Sequence, residues 1–255
     1  MPFHPVHSEK LSSAVVRQIE LLILRGILRP GERLPPEREL AEKLAVSRPS
    51  LRDALAELQA SGLLSAKAGS GVYVADVLGS AFSPALVKLF GAHNEAVQDY
   101  LAFRRDMEGL AAERAARLAS DLDLRVIDTA FRRMEAAHAR PAPKDEADLD
   151  AAFHMAIIEA SHNVIMLHMM RSMYDLLREG VFYNRARMFA QKTTREDLLN
   201  QHRAINAALQ ARDPAAARAM IEAHLDFVEA AFAAQAKAEQ NERVARQRIE
   251  HDASK

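Results

Sequence analysis

The sequence predicts a mainly α-helical protein with a winged helix-turn-helix at its N-terminus and an all-α antiparallel helical bundle behind it. Three observations carry this. Apolar residues recur at helical spacing from Leu11 to Leu28 and again from residue 95 onward. Turn signals divide the first 76 residues into three helices and two short strands. Alanine is abundant, while the chain has only 9 glycines, 5% aromatics and no tryptophan, a composition that favours helix.

The elements follow in order. Leu11, Val15, Ile19, Leu22 and Ile23 recur at helical spacing in a first helix over 11–28, whose start Ser12 or Ser13 could cap. Pro30 and Gly31 break it. "LPPERELAEKL" starts a second helix, with Pro36 in its first turn and Glu37 and Glu39 at the positive end of its dipole. "AVS" is a short turn. Ser47 caps the third helix, Pro49 fits its first turn, Leu51, Leu55 and Leu58 face inward, and Gly62 ends it. "LLSAKAGSGVYVAD" reads as two short strands around a tip at 68–71. From residue 95 the chain reads as helices near 95–118, 121–138, 145–161, 164–190, 194–211 and 214–240, with Asp213-Pro214 as a cap and first turn. The expected organisation is a DNA-binding domain over 9–76, a linker with a short helix over 77–94, a helical effector domain over 95–240 and a charged tail over 241–255.

Composition narrows the function. Without cysteine there are no disulfides or thiolate metal sites, and a reducing cytoplasm is the expected location. No apolar run approaches a membrane span, and "MPFHPVHSEK" has no signal-peptide core, so no membrane partner is expected. A net charge of −1 argues against a general polyanion binder. Even residues 1–76 carry ten Lys and Arg against nine Asp and Glu, so Glu37, Glu39 and Glu42 are expected to point away from phosphate.

In a helix-turn-helix the second helix of the pair enters the major groove with its N-terminal residues facing base edges. Arg48 and Arg52 stand there, one turn apart. Arginine pairs bidentately with guanine O6 and N7, which gives those positions their chemistry. Ser47 and Ser50 suit phosphate contacts from the same end, Arg38 the backbone, and Lys67 with the small tip residues a wing along the duplex. The two-fold symmetry of a homodimer would match a palindromic double-stranded DNA operator, because one recognition helix reads too few base pairs.

Two further constellations lie in the helical half. Asp150 and His154 are four apart, on one helix face, and can chelate one ion. His202 and His224 each fall among apolar residues of later helices, so a bundle can bring all four to one interior spot. Three imidazoles and a carboxylate suit a divalent metal ion: zinc first, or nickel, manganese or iron(II). Against this stands the commoner use of an inward histidine as a hydrogen-bonded core residue. His138, His162 and His168 are rival positions, while His4, His7, His93 and His251 read as surface or terminal. Arg104 lies on the stripe Val97, Leu101, Glu108, Ala111, Ala115, Leu118 and needs an interior partner. Glu108, one turn on, could neutralise it; alternatively the planar guanidinium receives the carboxylate of a small effector.

"LRPGERLPPERELAEKLAVSRPSLRDALAELQASGLL" resembles the DNA-binding signature of the GntR family of bacterial transcription regulators. The resemblance implies DNA contacts from Arg38, Arg48 and Arg52, supporting positions at Ser47, Ser50 and Gly69, and palindromic operators with GGT-type half-sites. The helical half resembles the FCD effector domain of the FadR-type branch. There, the metal-binding subset carries an Asp-x3-His pair and two later histidines, matched in order by Asp150, His154, His202 and His224. Arg104 in "LAFRRDMEG" matches an arginine of the first effector-domain helix. With "ASHNVIMLHMMRSM", the resemblance is closest to regulators of pyruvate, lactate and glycolate metabolism. It implies a dimeric repressor controlled by a small hydroxy- or oxo-carboxylate. The alternatives are a metal-dependent enzyme acting on small carboxylates, using an open coordination position to activate water, and a regulator that senses the metal alone.

Overall fold

The computed structural model describes residues 10–67, 69–75, 83–139, 143–178 and 192–253. The chain divides into two units, Met1–Ala81 and Phe82–Lys255. The tip residue Ala68, Asp76 with the first part of the expected linker (77–82), the far end of the helix expected over 164–190, and His4 and His7 lie outside the described residues.

The first unit contains α1 (Leu11–Leu24), α2 (Glu37–Lys43), α3 (Arg48–Ala60), β1 (Leu64–Lys67) and β2 (Gly71–Val74). α1 is shorter than its apolar spacing predicts. Gly26 adopts φ 70°, its N–H bonds to the Ile23 carbonyl, and the Ile27 N–H reaches back to the Leu22 carbonyl. This closure satisfies the last carbonyls and turns the chain four residues before Pro30. At the other end Lys10 takes the cap position without a side-chain bond, so Ser12 and Ser13 lie inside the helix instead of capping it. Pro36 stands just ahead of α2 and not within it.

The same backbone closure ends α2 and α3, through Val46 N–H to Ala41 and Leu63 N–H to Leu58. In α3 the left-handed residue is Gly62, but in α2 it is Ala45, at φ 52°. A Cβ there costs about 1–2 kcal/mol. Ser47 caps α3 by accepting the Ser50 N–H at 3.3 Å. Leu51, Ala54, Leu55 and Leu58 then pack on Val15, Val16, Ile19 and Ile23 of α1, with Leu34, Leu64 and Val74 closing the core. β1 and β2 are antiparallel, with Leu64 opposite Val74 and Lys67 opposite Gly71. The segment 31–34 bonds to the other edge of β2, through Gly31 N–H to Val74 and Leu34 N–H to Val72, and braces the wing.

The second unit contains α4 (Pro84–Ala92), α5 (Asn94–Leu118), α6 (Asp121–His138), α7 (Pro143–Ala160), α8 (Val164–Arg178), α9 (Lys192–Gln210) and α10 (Pro214–Ala253). Caps set the breaks. Ser83 accepts the Leu86 N–H, Ser120 and Asp123 form a reciprocal capping box, and Asp213 accepts the Ala216 N–H ahead of Pro214. α5 lies along α10 at a close approach over Gly109, where an added Cβ would sit 3.2 Å from the Glu222 side chain. α7 packs on α5, α6 and α8, and α9 bridges α6 and α10. One core centres on Phe131, Phe153, Ile205 and Ile221, another on Leu101, Ile158, Met170 and Leu198. Leu118, expected inside, is exposed at the end of α5. The residues expected as a charged tail continue α10 to Ala253, exposed through His251. Alanine and long-chain polar residues propagate helix well, and pairs such as Arg246 with Glu242 at 2.6 Å support it.

Candidate functional site

At the N-terminal end of α3, Arg48 and Arg52 are exposed one turn apart, as the spacing predicts. Ser47 and Ser50 place their hydroxyls 2.9 Å from each other. Arg38 is exposed in α2 with its Nε 3.7 Å from Glu42. Lys67 ends β1 with its ammonium 4.7 Å above the Tyr73 ring. Gly69 adopts φ 71°, so the tip needs glycine for its backbone and not for space.

The carboxylates of α2 pair with cations of the same motif. Glu37 turns toward the recognition helix: its Oε2 lies 2.8 Å from Arg52 Nε and 3.8 Å from Arg48 Nη2. Glu39 pairs with Lys43 at 2.6 Å. The negative charge is thus held against the arginines and lysine of the same motif.

In the second unit, Asp150 and His154 come from α7, His202 from α9 and His224 from α10. All four are buried, and one donor atom from each lies within 4.8 Å of the others. His202 Nε2 is 3.0 Å from Asp150 Oδ1 and 3.2 Å from His154 Nε2, while His154 Nε2 is 3.7 Å from the same carboxylate oxygen. Bonds of about 2.1 Å to a shared ion would put neighbouring donors about 3.0–3.4 Å apart, close to the distances among Asp150, His154 and His202, so the set could hold a divalent cation. Two of the outward nitrogens face acceptors. His154 Nδ1 lies 2.6 Å from Glu108 Oε2, and His224 Nδ1 lies 2.9 Å from Gln201 Oε1. A nitrogen that donates its proton to such an acceptor leaves the other nitrogen as a lone-pair donor.

The rival histidines lie elsewhere. His138 pairs with Glu196 at 2.9 Å and His162 with Asp123 at 3.0 Å. His168 is half-buried on α8, and His93 and His251 are exposed.

Arg104 is buried and holds Glu108, the protein partner the sequence offers it. Its Nε donates to Glu108 Oε1 at 2.6 Å and its Nη2 to the Tyr174 hydroxyl at 2.8 Å, which in turn donates to Glu108 Oε1 at 2.9 Å. Burial pushes the Glu108 carboxyl up, but the Arg104 guanidinium and His154 outweigh it and hold the group ionised, far below the usual carboxylate range. Burial, the largest effect on Tyr174, pushes its hydroxyl well up and keeps it protonated. Arg104 therefore reaches the donor cluster through Glu108 and His154. Beside His202 a void of about 10 Å³ is lined by Met134, His138, Leu199 and the buried pair Glu146–Arg195, whose atoms meet at 2.7 Å. A wider apolar cleft of about 530 Å³ runs between α4 and α5, lined by Leu89, Phe90 and Phe103; none of the four donors touches it.

The sequence reading missed Gln201, Tyr174 and the contact between Glu37 and Arg52. Gln201 is adjacent to His202, yet its partner is 23 residues away on another helix. Tyr174 meets Glu108 across 66 residues, and nothing in either local pattern announces it.

Comparison with known proteins agrees with this architecture. Residues 11–74 match the family described as bacterial regulatory proteins, gntR family, and residues 99–227 match the FCD domain. The chain is 33% identical over 213 residues to the Glc operon transcriptional activator of Escherichia coli K12, covering 82% of this chain and 84% of that protein. It is 34% identical over 223 residues to the putative L-lactate dehydrogenase operon regulatory protein of the same organism, covering 86% and 85%. It is 34% identical to the HTH-type transcriptional regulator LutR of Bacillus subtilis 168, covering 82% and 94%. A solved GntR structure from Streptococcus agalactiae shares the fold, with a TM-score of 0.52 and 24% identity over 85% of this chain and 98% of that one. No helix among the described residues is long and apolar enough to cross a membrane. The winged helix-turn-helix, the helical domain behind it and these matches together make the chain a transcription regulator of the GntR family, in the branch that carries an FCD domain.

Proposed function

We propose that this regulator is a dimeric, metal-containing repressor whose operator affinity is controlled by a small hydroxy- or oxo-carboxylate of the lactate and glycolate class. The observation that carries it is the convergence of Asp150, His154, His202 and His224, all buried, within 4.8 Å. The names of the E. coli relatives, a Glc operon activator and a putative L-lactate dehydrogenase operon regulator, support the ligand class.

Each residue has a part. Asp150 supplies the single negative charge of the donor set. The three imidazoles present lone pairs, with Glu108 orienting His154 and Gln201 orienting His224. A bound divalent ion would supply Lewis acidity toward the carboxylate and hydroxyl oxygens of the effector. The Arg104–Glu108 pair keeps the charge behind His154 balanced, so an incoming carboxylate meets no uncompensated negative group there. At the other unit, Arg48 and Arg52 read bases in each half of a palindromic operator, with Ser47, Ser50, Arg38, Lys67 and Gly69 positioning the backbone and wing. Operator and effector are linked by a coupling free energy, typically about 1–3 kcal/mol, and the linkage is reciprocal.

The test is a thermal-shift panel of small carboxylates, with and without chelator, followed by operator titration. Ligands that bind the native state raise its melting temperature with the logarithm of concentration. The expected result is stabilisation by a hydroxy- or oxo-acid that chelator and His202→Ala both abolish, and weaker operator binding when that acid is present. Metal content unaffected by His202→Ala overturns the centre. Turnover of the acid would favour an enzyme, and an operator response to metal alone would favour a metal sensor.

A further inference from the structure

Glu37 stands between the two arginines that the proposed function assigns to base reading. One carboxylate oxygen, Oε2, accepts from Arg52 Nε at 2.8 Å and lies 3.8 Å from Arg48 Nη2. Glu37 belongs to the first turn of α2, whereas both arginines belong to α3, so the contact crosses the helix-turn-helix. A guanidinium is a planar fork of five N–H donors. Holding Arg52 by its Nε leaves its paired Nη groups directed elsewhere, and that pair can make two bonds to guanine. The carboxylate also sits between two like charges one helical turn apart, which otherwise repel.

We infer that Glu37 is a specificity-determining positioning residue: it fixes the orientation of Arg52, and secondarily Arg48, before DNA arrives, and lowers the positive charge available to phosphate. The first effect favours base readout, since less rotamer freedom remains to be lost on binding. The second disfavours arbitrary duplex, whose binding is almost wholly electrostatic. Both raise the ratio of specific to non-specific affinity. The near balance of charge over residues 1–76, ten basic against nine acidic, fits a motif that gains selectivity by restraining its cations. Glu42 near Arg38, at 3.7 Å, repeats the arrangement on α2.

The inference rests on the base-reading assignment of Arg52, and the experiment separates the two. The full chain is used to select its best site from a random duplex pool. Wild type, Glu37→Gln, Arg52→Ala and the double variant are then titrated against that site and a scrambled duplex over a salt series. Glu37→Gln keeps size and hydrogen bonding but removes the charge, and circular dichroism checks that helix content is unchanged. Glu37→Asp, which retains charge but withdraws the carboxylate, serves as a second probe and falls between wild type and Glu37→Gln.

The expected result is a roughly tenfold loss of the specificity ratio in Glu37→Gln, comparable with losing part of one bidentate base contact. Binding to scrambled duplex becomes tighter and its salt slope steeper by up to about one unit. In the Arg52→Ala background the same change costs less than about threefold, because the residue it acts through is gone. An unchanged ratio in Glu37→Gln, or an equal loss in both backgrounds, overturns the inference while the base-reading assignment stands. A full ratio in Arg52→Ala alone overturns the assignment and the inference with it.

Discussion

Gln201 Oε1 lies 2.9 Å from His224 Nδ1, so the residue immediately before His202 holds the histidine on the neighbouring helix. α9 thereby contributes to the donor cluster twice, once directly and once through α10. Gln201→Leu is expected to keep the fold and weaken metal affinity by about 10–100-fold, the usual cost of removing such an orienting partner. Competition with a chromophoric chelator measures it, and unchanged affinity would show that Gln201 does not set the ring.

Arg48→Ala and Arg52→Ala are each expected to lose about 1–3 kcal/mol of discrimination between operator and unrelated duplex, with helix content unchanged. Gel-shift titrations at one fixed salt concentration provide the comparison. Wild-type discrimination in either variant removes that residue from the base-reading set.

Ala45 ends α2 in the left-handed region, at φ 52°, where Gly62 does the same work for α3. Ala45→Gly relieves about 1–2 kcal/mol of strain and gives back part of it, about 0.4–1 kcal/mol, through a freer unfolded chain. The net expectation is a gain of about 0.5 kcal/mol, seen as slower hydrogen exchange at the buried Leu51 and Leu55 amides. Faster exchange would mean that the turn tolerates alanine without strain.

Asp123 closes the capping box of α6. Burial pushes its carboxyl up, but the Ser120 hydroxyl and N–H, followed by His162, outweigh it and bring the group below its ordinary value. A carboxyl depressed in the folded state stabilises fully above its unfolded pKa, about 3.9, and loses that contribution as pH falls through the folded value. Asp123→Asn is therefore expected to cost about 1 kcal/mol at pH 7, with the gap to wild type narrowing below about pH 4. Urea midpoints across that range check it; a gap independent of pH would place the effect in packing.

Much of this was legible in the sequence because the signals are local. Ser47 before Arg48, Gly62 after Leu58 and Asp213 before Pro214 each act within a few residues, and the structure keeps all three. The first helix was over-read because apolar spacing continues through Leu28, while the backbone closure at Gly26 depends on one glycine's φ. In the bundle, burial of Asp150, His154, His202 and His224 follows from their apolar neighbours, so their meeting could be anticipated. What holds them could not. Glu108 to Tyr174, Gln201 to His224 and Glu37 to Arg52 join different helices, and side-chain partnerships of that kind exist only after the chain has packed.

The length of α10 has a mechanical consequence. His224 sits near its start, and 29 residues of continuous helix follow to Ala253, a rod of about 44 Å at 1.5 Å per residue. Val228 is buried and Phe227, Ala231 and Phe232 still pack on the core, so the free lever is the 21 residues after Phe232; over about 32 Å a rotation of about 5° at that pivot becomes a sweep of about 3 Å at the tip. A fluorophore near that tip would report sub-ångström events at the pivot as displacements large enough to measure.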